Sequence, residues 1–586
     1  MIRIPGIGTS SPTVTRLAAP RIMNAVGCLQ NFGVQIFVHG KAIFATHENP
    51  AADVTAAAAL ALALAGWHHR VVDPEYASQC LNHAIALYTF AKQYAGTKWS
   101  VDGGLYESEG SYDDLGWAAI WLQEVLPVAG QPGANARTEL YASHKQEYLD
   151  DLIVEGQSWM EKFRGTGPQI SCIAEGGSCW SEGWTHVWNS LRSSVFVKLA
   201  DILSRSGNKY GSLPEGVLNI ARDDSLGWVI GPHTDGGFAK KVDVSWGSAR
   251  YNSGGQLVAL AFANAFPDDE IPSVNDKPYD TLGLTGQNTA EVLVDCAQKQ
   301  SEYLLGDNPL GQSYMMGFGD DYAESVHHAA THASIYGLCG KPEENNHIAY
   351  GALVSGPNSG DSHSDDRCDF GANEITIDYN AAFLGALAGN YAFHGDGQCP
   401  DPDFPPVEPP FDEFYTQSKI NTEGGCSTQV EITLVNETAH PPRYDETLTV
   451  RYYLDASELQ SLGIDPMTMK ADVIYENFEN EPAIVSELQA CSLKAHTFYF
   501  ELAYPYEFWG EQIKLTGPRT TLLDIGFADN GSCTWDASND WSPAALSREV
   551  EKSPSIPAYS QGELVWGAEP ECDAPPKVVV PPTVVR

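Results

Sequence analysis

No apolar run in the sequence is long enough to cross a bilayer: the longest, Ala56 to Gly66, falls well short of the roughly 18 residues that a spanning helix needs. Basic residues are scarce, with 34 Lys and Arg against 76 Asp and Glu in 586 residues, a formal charge of −42. Such a field repels phosphate backbones and anionic lipid, so neither nucleic acid nor a membrane surface is an expected partner. None of the twelve cysteines falls in a Cys-x-x-Cys pair, which leaves zinc and thioredoxin chemistry without support. An even count permits disulfides, and Cys172 and Cys179 bracket a short Gly-Ser loop, but spacing alone does not set the pairing. The opening residues, Met1 to Pro20, carry Gly, Pro, Ser and Thr where a secretory leader needs a basic start and an apolar stretch, so no signal peptide is readable there.

What the chain does have is length for two to four domains, a hydrophobic content of 43%, and 14 Trp, 26 Tyr and 21 Phe. Flat aromatic surface of this kind is where sugars stack. From Asp53 to about Tyr391 the apolar residues recur at helical spacing, as in Leu81, Ala84, Ile85, Tyr88 and Ala91. Eight helices are predicted, over 54–68, 78–94, 114–126, 143–163, 188–204, 253–265, 288–305 and 380–392, and strand-like alternation is almost absent. At 397–411 six prolines (Pro400, Pro402, Pro405, Pro406, Pro409 and Pro410) forbid both helix and ladder, which marks a linker. Beyond it the period becomes two, in Val430, Ile432 and Leu434, in Val450, Tyr452 and Leu454, and in Phe498, Phe500 and Leu502. The expected architecture is therefore multidomain: an unmatched segment 1–44, an all-α domain 45–396, the linker, an all-β sandwich 412–571, and a Pro- and Val-rich tail 572–586.

The densest chemistry lies between His363 and Ala381, where Asp365, Asp366, Asp369, Glu374 and Asp378 put five carboxylates into fourteen residues. Glycoside hydrolysis needs one carboxylic acid held protonated at working pH, and crowding carboxylates under aromatic cover is one way to achieve it. On chemistry alone a calcium loop or a solvated turn fits the same residues.

This stretch resembles the second signature of family 9 glycoside hydrolases, the inverting cellulases, through Asp365, Phe370, Glu374, Asn380 and Ala381. By that resemblance Glu374 is the general acid, Asp365 and Asp378 orient and tune it, and Arg367 and Tyr379 contact substrate. The run Tyr303 to Gly319 followed by His327 and His328 is similar to the first signature, with His327 at the family's substrate-contacting position. Two places depart: Ala329 stands where the family has Arg, and His363 where it prefers an aromatic. Losing a guanidinium removes a planar fork of donors that Ala cannot replace. Further similarity at 87–91, 112–117, 246–251 and 350–357 extends the likeness over most of Asp53 to Asn390. The implied fold is an (α/α)6 barrel, incomplete here at its N-terminus. The resemblance also implies a calcium ion at Gly110, Asp113, Asp114 and Asn189, oxygen donors that suit Ca²⁺, although Asp113 and Asp114 equally suit a plain helix cap. Trp184 and Trp188 are candidate sugar platforms or buried aromatics.

The β-rich part resembles a family 3 carbohydrate-binding module, through 414–421, Arg443 to Asp445, Leu448 to Leu454, Trp535 to Ser542 and Val565 to Gly567. Modules of this family carry calcium, and Asp445, Asn539 and Asp540 are the side chains implied. Asp-Ala-Gly-Asp, the family's general-base segment, occurs nowhere in the sequence. The match begins near Ala45, so the chain reads as N-terminally truncated. Two functions follow: a secreted endoglucanase that cleaves internal β-1,4-glucosidic bonds with inversion, or a glucan-binding protein without turnover. The expected partner is cellulose or another β-1,4-glucan, the expected state a monomer, the expected cofactor structural calcium, and the expected location extracellular.

Overall fold

The computed structural model describes residues 45–97, 110–127, 145–153, 185–210, 213–240, 246–273, 279–328, 348–397, 404–407, 410–424, 427–438 and most of 443–573, with a few isolated residues between and residue 49 omitted. The segment 1–44, Trp184, most of the tail and part of the linker lie outside the described residues. The chain divides into two compact units, one of residues 1–328 with 348–404, the other of 329–347 with 405–586.

The first unit is helical. Its described helices are α1 (Ala52–His69), α2 (Pro74–Gln93), α3 (Tyr112–Val125), α4 (Lys145–Ile153), α5 (Arg192–Ser204), α6 (Leu213–Ile230), α7 (Ser248–Ala265), α8 (Thr289–Leu304), the single turn α9 (Phe370–Asn373) and α10 (Ile377–His394). Helix α1 is apolar all round, so small residues decide which side packs: Ala52, Ala56, Ala59 and Ala63 are fully buried. Its Gly66 lets α2 approach so closely that a Cβ there would stand 2.7 Å from Leu81 Cγ. Pro74 at the first turn and Asp73, which accepts the Tyr76 N–H at 3.0 Å, start α2.

Helix α6 is the element that periodicity does not reveal. Pro214, Gly216 and the pair Asp223-Asp224 interrupt its apolar rhythm, yet both acids are buried. Asp224 meets Arg192 at 3.3 Å and Ser193 at 3.0 Å, and Asp223 accepts the Tyr279 hydroxyl at 2.5 Å. The expected helix at 188–204 starts instead at Arg192, because 187–190 form a turn closed by a Val187–Ser190 bridge. Helix α7 begins five residues before its expected start at Ser253, at Ser248.

The second unit is the antiparallel sandwich. One sheet runs β11 (Glu551–Lys552), β1 (Phe414–Glu423), β2 (Ser427–Asn436), β10 (Gly517–Phe527), β4 (Met469–Glu476). The other runs β13 (Glu563–Trp566), β12 (Ala558–Ser560), β3 (Thr449–Asp455), β7 (Thr497–Ala503), β5 (Ile484–Val485), with β6 (Gln489–Ser492) also on β7, and β8 (Phe508–Trp509) pairs with β9 (Gln512–Ile513) as a separate ribbon. The alternating residues expected to face inward form its core: Val430, Ile432, Leu434, Val450, Tyr452, Leu454, Phe498, Phe500 and Leu502. One boundary moves. Cys572, placed in the tail by composition, bonds to Cys491 of β6, and Asp573 donates its N–H to the Cys491 carbonyl at 2.9 Å.

Candidate active site

Three segments of the helical unit meet around Glu374. The first is the cap of α10: Thr376 accepts the Tyr379 N–H at 3.3 Å, which fixes the first turn and the residues just before it. The second is the strand-like stretch ending at His327, which forms a parallel bridge with Glu374 and donates its N–H to the Asn373 carbonyl at 2.8 Å. The third is the start of α7, which brings Trp246 and Arg250.

Glu374 is half-buried, and one of its oxygens is doubly held: Oε2 accepts Trp246 Nε1–H at 2.8 Å and the Tyr379 hydroxyl at 3.2 Å. Burial, and then the nearby charge of Glu374, push the Tyr379 phenol well up, so it remains a donor. Arg250 lies over the Tyr379 ring at 4.9 Å and binds Asp378 at 3.1 Å, while Thr376 gives Asp378 its hydroxyl proton. Gly247, at φ +67°, makes this corner possible, since a Cβ would stand 3.1 Å from both the Tyr379 hydroxyl and the Arg250 guanidinium. Trp246 and Phe370 keep 41% and 39% of their surfaces exposed and meet edge to face at 6.0 Å, which leaves an open aromatic wall beside the acid.

His327 donates from Nδ1 to the Arg367 carbonyl at 2.7 Å; because a carbonyl only accepts, that nitrogen carries the proton. In the neutral ring Nε2 is left as the acceptor. Arg367 thus serves His327 through its backbone, and its side chain is buried. Asp365, expected beside the acid, instead takes the N–H groups of Glu324 and Ser325 at 3.1 and 2.8 Å. It positions the approach to His327. His363 fills its site as an aromatic would, edge-on to Tyr314 at 5.2 Å, and burial lowers its pKa despite the Ala372 carbonyl beside it. His328 is exposed next to His327, and Trp188 is half-buried in the 187–190 turn. Reading the sequence assigned no role to Trp246 or Arg250, although the run 246–251 that carries them was itself the signal.

The first calcium set is brought together. Asp113 Oδ2 accepts the Leu191 N–H at 2.8 Å, joining the start of α3 to the loop of Asn189. Gly110 presents a carbonyl that takes one hydroxyl, from Ser108 at 2.7 Å. Asp53 of α1, not expected here, joins them: its Oδ1 and that of Asn189 are buried without hydrogen-bond partners. Burial first, then repulsion from Asp113 and Asp53, raise Asp114 well above the usual carboxylate range; burial likewise raises Asp113, against the N–H it accepts from Leu191. Among the described residues no three His, Cys, Asp or Glu side chains converge as a ready cage, so a cation there would also rest on amide and carbonyl oxygens.

The second set is not brought together. Asp445 precedes β3 and binds the Thr447 N–H at 2.8 Å, whereas Asp540 accepts the N–H of Asp455 at the far end of β3 at 2.6 Å. A strand of seven residues keeps those ends roughly 20 Å apart. The acids beside Asn539 and Asp540 are instead Asp455 and Glu458: Asn539 donates to Glu458 Oε1 at 2.5 Å, and Glu458 Oε2 is buried without a hydrogen-bond partner.

A helical domain that holds a carboxyl beside an open aromatic wall, joined in sequence to a β-sandwich, has the make-up of a polysaccharide-processing protein. The chain belongs to glycosyl hydrolase family 9, whose model matches residues 38–387, and a cellulose binding domain model matches 415–567. It is 30% identical over 539 residues to Endoglucanase A of Bacillus pumilus, covering 89% of this chain and 71% of that protein. Endoglucanase 4 of Bacillus sp. (strain KSM-522) is 30% identical over 534 residues, covering 89% and 73%. Among solved structures, endoglucanase CelQ from Clostridium thermocellum, complexed with cellobiose and cellotriose, superposes with a TM-score of 0.65 at 24% identity over 89% of this chain and 77% of that one. At that identity the likeness is one of fold, and it gives the helical unit the (α/α)6 barrel architecture and the second unit the antiparallel sandwich.

Proposed function

We propose that this protein is an endoglucanase acting on internal β-1,4-glucosidic bonds of cellulose or a related glucan, with inversion, outside the cell. The observation that carries the reading is Glu374 at the His327 bridge, held by Trp246 and Tyr379 beside exposed aromatic faces. Glu374 gives its proton to the departing glycosidic oxygen. Trp246 and Tyr379 fix the direction in which that carboxyl presents its other oxygen, and Arg250 with Asp378 fixes the helix turn that carries Tyr379. Inversion also requires a carboxylate on the opposite face of the sugar to activate water; no described residue is given that role here. The test is reducing-sugar release from a soluble cellulose derivative by the purified chain and by Glu374→Gln. Release that falls by about 10²–10⁴-fold in the variant supports the reading. Equal release from both proteins overturns the role of Glu374, and glucan binding with no release from the parent favours the binding protein without turnover.

We also propose calcium at two places. Asp53, Asp113, Asp114, Asn189 and the Gly110 carbonyl offer hard oxygen donors in the barrel, and Asp455, Glu458, Asn539 and Asp540 offer them in the module. The orphaned oxygens of Asp53, Asn189 and Glu458 support this reading, and the ion would supply charge neutralisation and cross-linking, with no part in bond cleavage.

A further inference from the structure

The segment 363–373 leads into Glu374, and at its start stands a nitrogen-bearing ring where a plain hydrocarbon ring would pack on Tyr314 as well. His363 is half-buried with its edge on that tyrosine, which leaves two ring nitrogens to account for. Nε2 lies 3.4 Å from the Ala372 carbonyl, and because a carbonyl only accepts, this nitrogen is the donor. Nδ1 is buried without a hydrogen-bond partner.

A second orphan lies on Asn373. Its side-chain amide donates to the Ser364 carbonyl and to the Asp366 carbonyl, the latter at 3.0 Å, so both Nδ2 hydrogens are engaged on the loop. Oδ1 is what remains, and it too is buried without a hydrogen-bond partner. The Asn373 side chain favours a proton on His363, as an oxygen turned towards the ring does and a donor would not. A neutral imidazole has one N–H and cannot serve two acceptors. With that hydrogen on Nε2, the lone pairs of Nδ1 and Oδ1 are left to face each other. A second proton, taken from solvent, satisfies both ends, with Nε2–H on the Ala372 carbonyl and Nδ1–H on Asn373 Oδ1.

Asn373 carries the effect to the site. Its carbonyl accepts the His327 N–H at 2.8 Å, its own N–H binds the Asp369 carbonyl at 3.0 Å, and Glu374 follows it directly in the chain. Burial holds the imidazole below its ordinary value of 6.5, against the pull of the Ala372 carbonyl, of the charges of Asp365 and Asp369, and of Asn373. Tyr314, on the facing segment, stays neutral because burial and then Asp361 push its phenol well up. The ring therefore carries one proton at neutral pH and gains its second in acid. We propose that His363 is a positioning residue: protonated, it grips Asn373 and firms the bridge between His327 and Glu374, and neutral, it releases that grip, so the site is best ordered on the acid side. This inference rests on the reading of Glu374 as the acid of a glucan hydrolase.

The experiment follows one carbon signal and one kinetic ratio. The ring Cε1–H of His363, in the full chain labelled with carbon-13 at histidine and assigned by its loss in His363→Phe, is titrated by nuclear magnetic resonance. Its midpoint should lie below 6.5, fall by roughly one further pH unit in Asn373→Ala, which removes the acceptor, and rise in Asn373→Asp, which strengthens it. In steady-state hydrolysis of a soluble cellulose derivative, the kcat ratio of parent to His363→Phe should grow about fivefold from about pH 7.5 to about pH 5, the size of one net hydrogen bond, with the KM ratio flat. Titration of Glu374 is common to both proteins and cancels in that ratio, and a packing defect alone would lower kcat equally at every pH. A midpoint indifferent to both Asn373 variants, or a kcat ratio constant with pH, overturns the proposal. Where circular dichroism shows that Asn373→Ala does not fold, Asn373→Asp and the kinetic ratio decide. An inactive parent whose midpoint still moves with Asn373 sinks the enzyme reading alone, and an active parent with a constant ratio sinks the role of His363 alone.

Discussion

At the scale of single residues the site depends on a few side chains whose bonds leave no slack. Arg250 does two things at once: its guanidinium reaches Asp378 and the Tyr251 hydroxyl, both at 3.1 Å, and covers the Tyr379 ring. Arg250→Lys keeps the charge and loses the fork and the planar stack. A misplaced first turn of α10 then lowers kcat by about 10²-fold with KM little changed, which steady-state kinetics on a soluble glucan would show. An equal fall in binding would place Arg250 in substrate contact instead. Titrating groups give a second prediction. His186 is half-buried, and its pKa is pushed down to about 4 by desolvation, so the unfolded chain takes up a proton first as the solution acidifies. The contribution of this imidazole is lost from pH 6.5 downwards and is gone below about 4, an effect of at most roughly 3 kcal/mol. Asp113 and Asp114 act in the opposite direction, because their raised values make the folded state the tighter proton binder. Without a cation their contribution is present below the ordinary carboxylate pKa and fades as pH rises through the raised values. Calcium should cancel that fading: melting curves at neutral pH should rise with added calcium and fall with chelator, while curves near pH 4 should respond far less. A melting temperature indifferent to both at neutral pH would remove the calcium proposal.

Elements show why part of the fold was legible in the sequence and part was not. In strands β2, β3 and β7 the apolar residues that line the core recur at every second position, so they could be read by eye, although in β3 and β7 the opposite face, with Arg451, Tyr453, Tyr499 and Glu501, is buried as well. Helix α2 was equally plain. Helix α6 hid because its core-facing side carries Asp223 and Asp224, acids that only tertiary partners make tolerable. Glu374 was found through the pattern around it, whereas Trp246 lies 128 positions away along the chain and meets Glu374 only when α7 and α10 pack together. Asp445 was grouped with Asn539 and Asp540 for the same reason: nothing in the sequence says which end of β3 they meet, and Asp540 bonds to Asp455, the strand's last residue, whereas Asp445 precedes its first. Helix α10 offers the test at this scale. Thr376→Ala removes both the N-cap bond to Tyr379 and the hydroxyl on Asp378, so about 1 kcal/mol of stability should go, and kcat with it. Thr376→Ser keeps the hydroxyl and should recover most of both, which a defect of packing alone would not do.

Among the described residues the helical unit has a main core of helix-borne Ala, Leu, Ile and Val with a smaller cluster around Tyr314 and Phe383, and the sandwich has its own core around Tyr452 and Phe500. Units with separate cores are the usual units of cooperative unfolding. Each also has an internal point of failure that leaves the other core untouched. In α7, Gly255 faces Trp228 so closely that a Cβ would stand 2.0 Å from Trp228 Cε2, so Gly255→Ala forces the indole or the helix to move. Overpacking of that kind typically costs about 1–3 kcal/mol. In the sandwich, Arg451 of β3 and Glu501 of β7 are directly paired in register and bonded at 2.7 Å, with both side chains almost fully buried. Burial alone would lower Arg451, but the bonds from Glu501 and Tyr453 outweigh it and raise the guanidinium's pKa, so the charge stays. Glu501→Gln leaves that buried charge with only the more distant Glu569, 3.9 Å away, as counter-ion, which should cost up to about 3–5 kcal/mol. Scanning calorimetry of the intact chain is therefore expected to resolve two transitions. Gly255→Ala should lower one and Glu501→Gln the other, and hydrolysis of a soluble glucan at a temperature below both should survive Glu501→Gln. A single transition displaced by both substitutions would mean that the two cores melt as one.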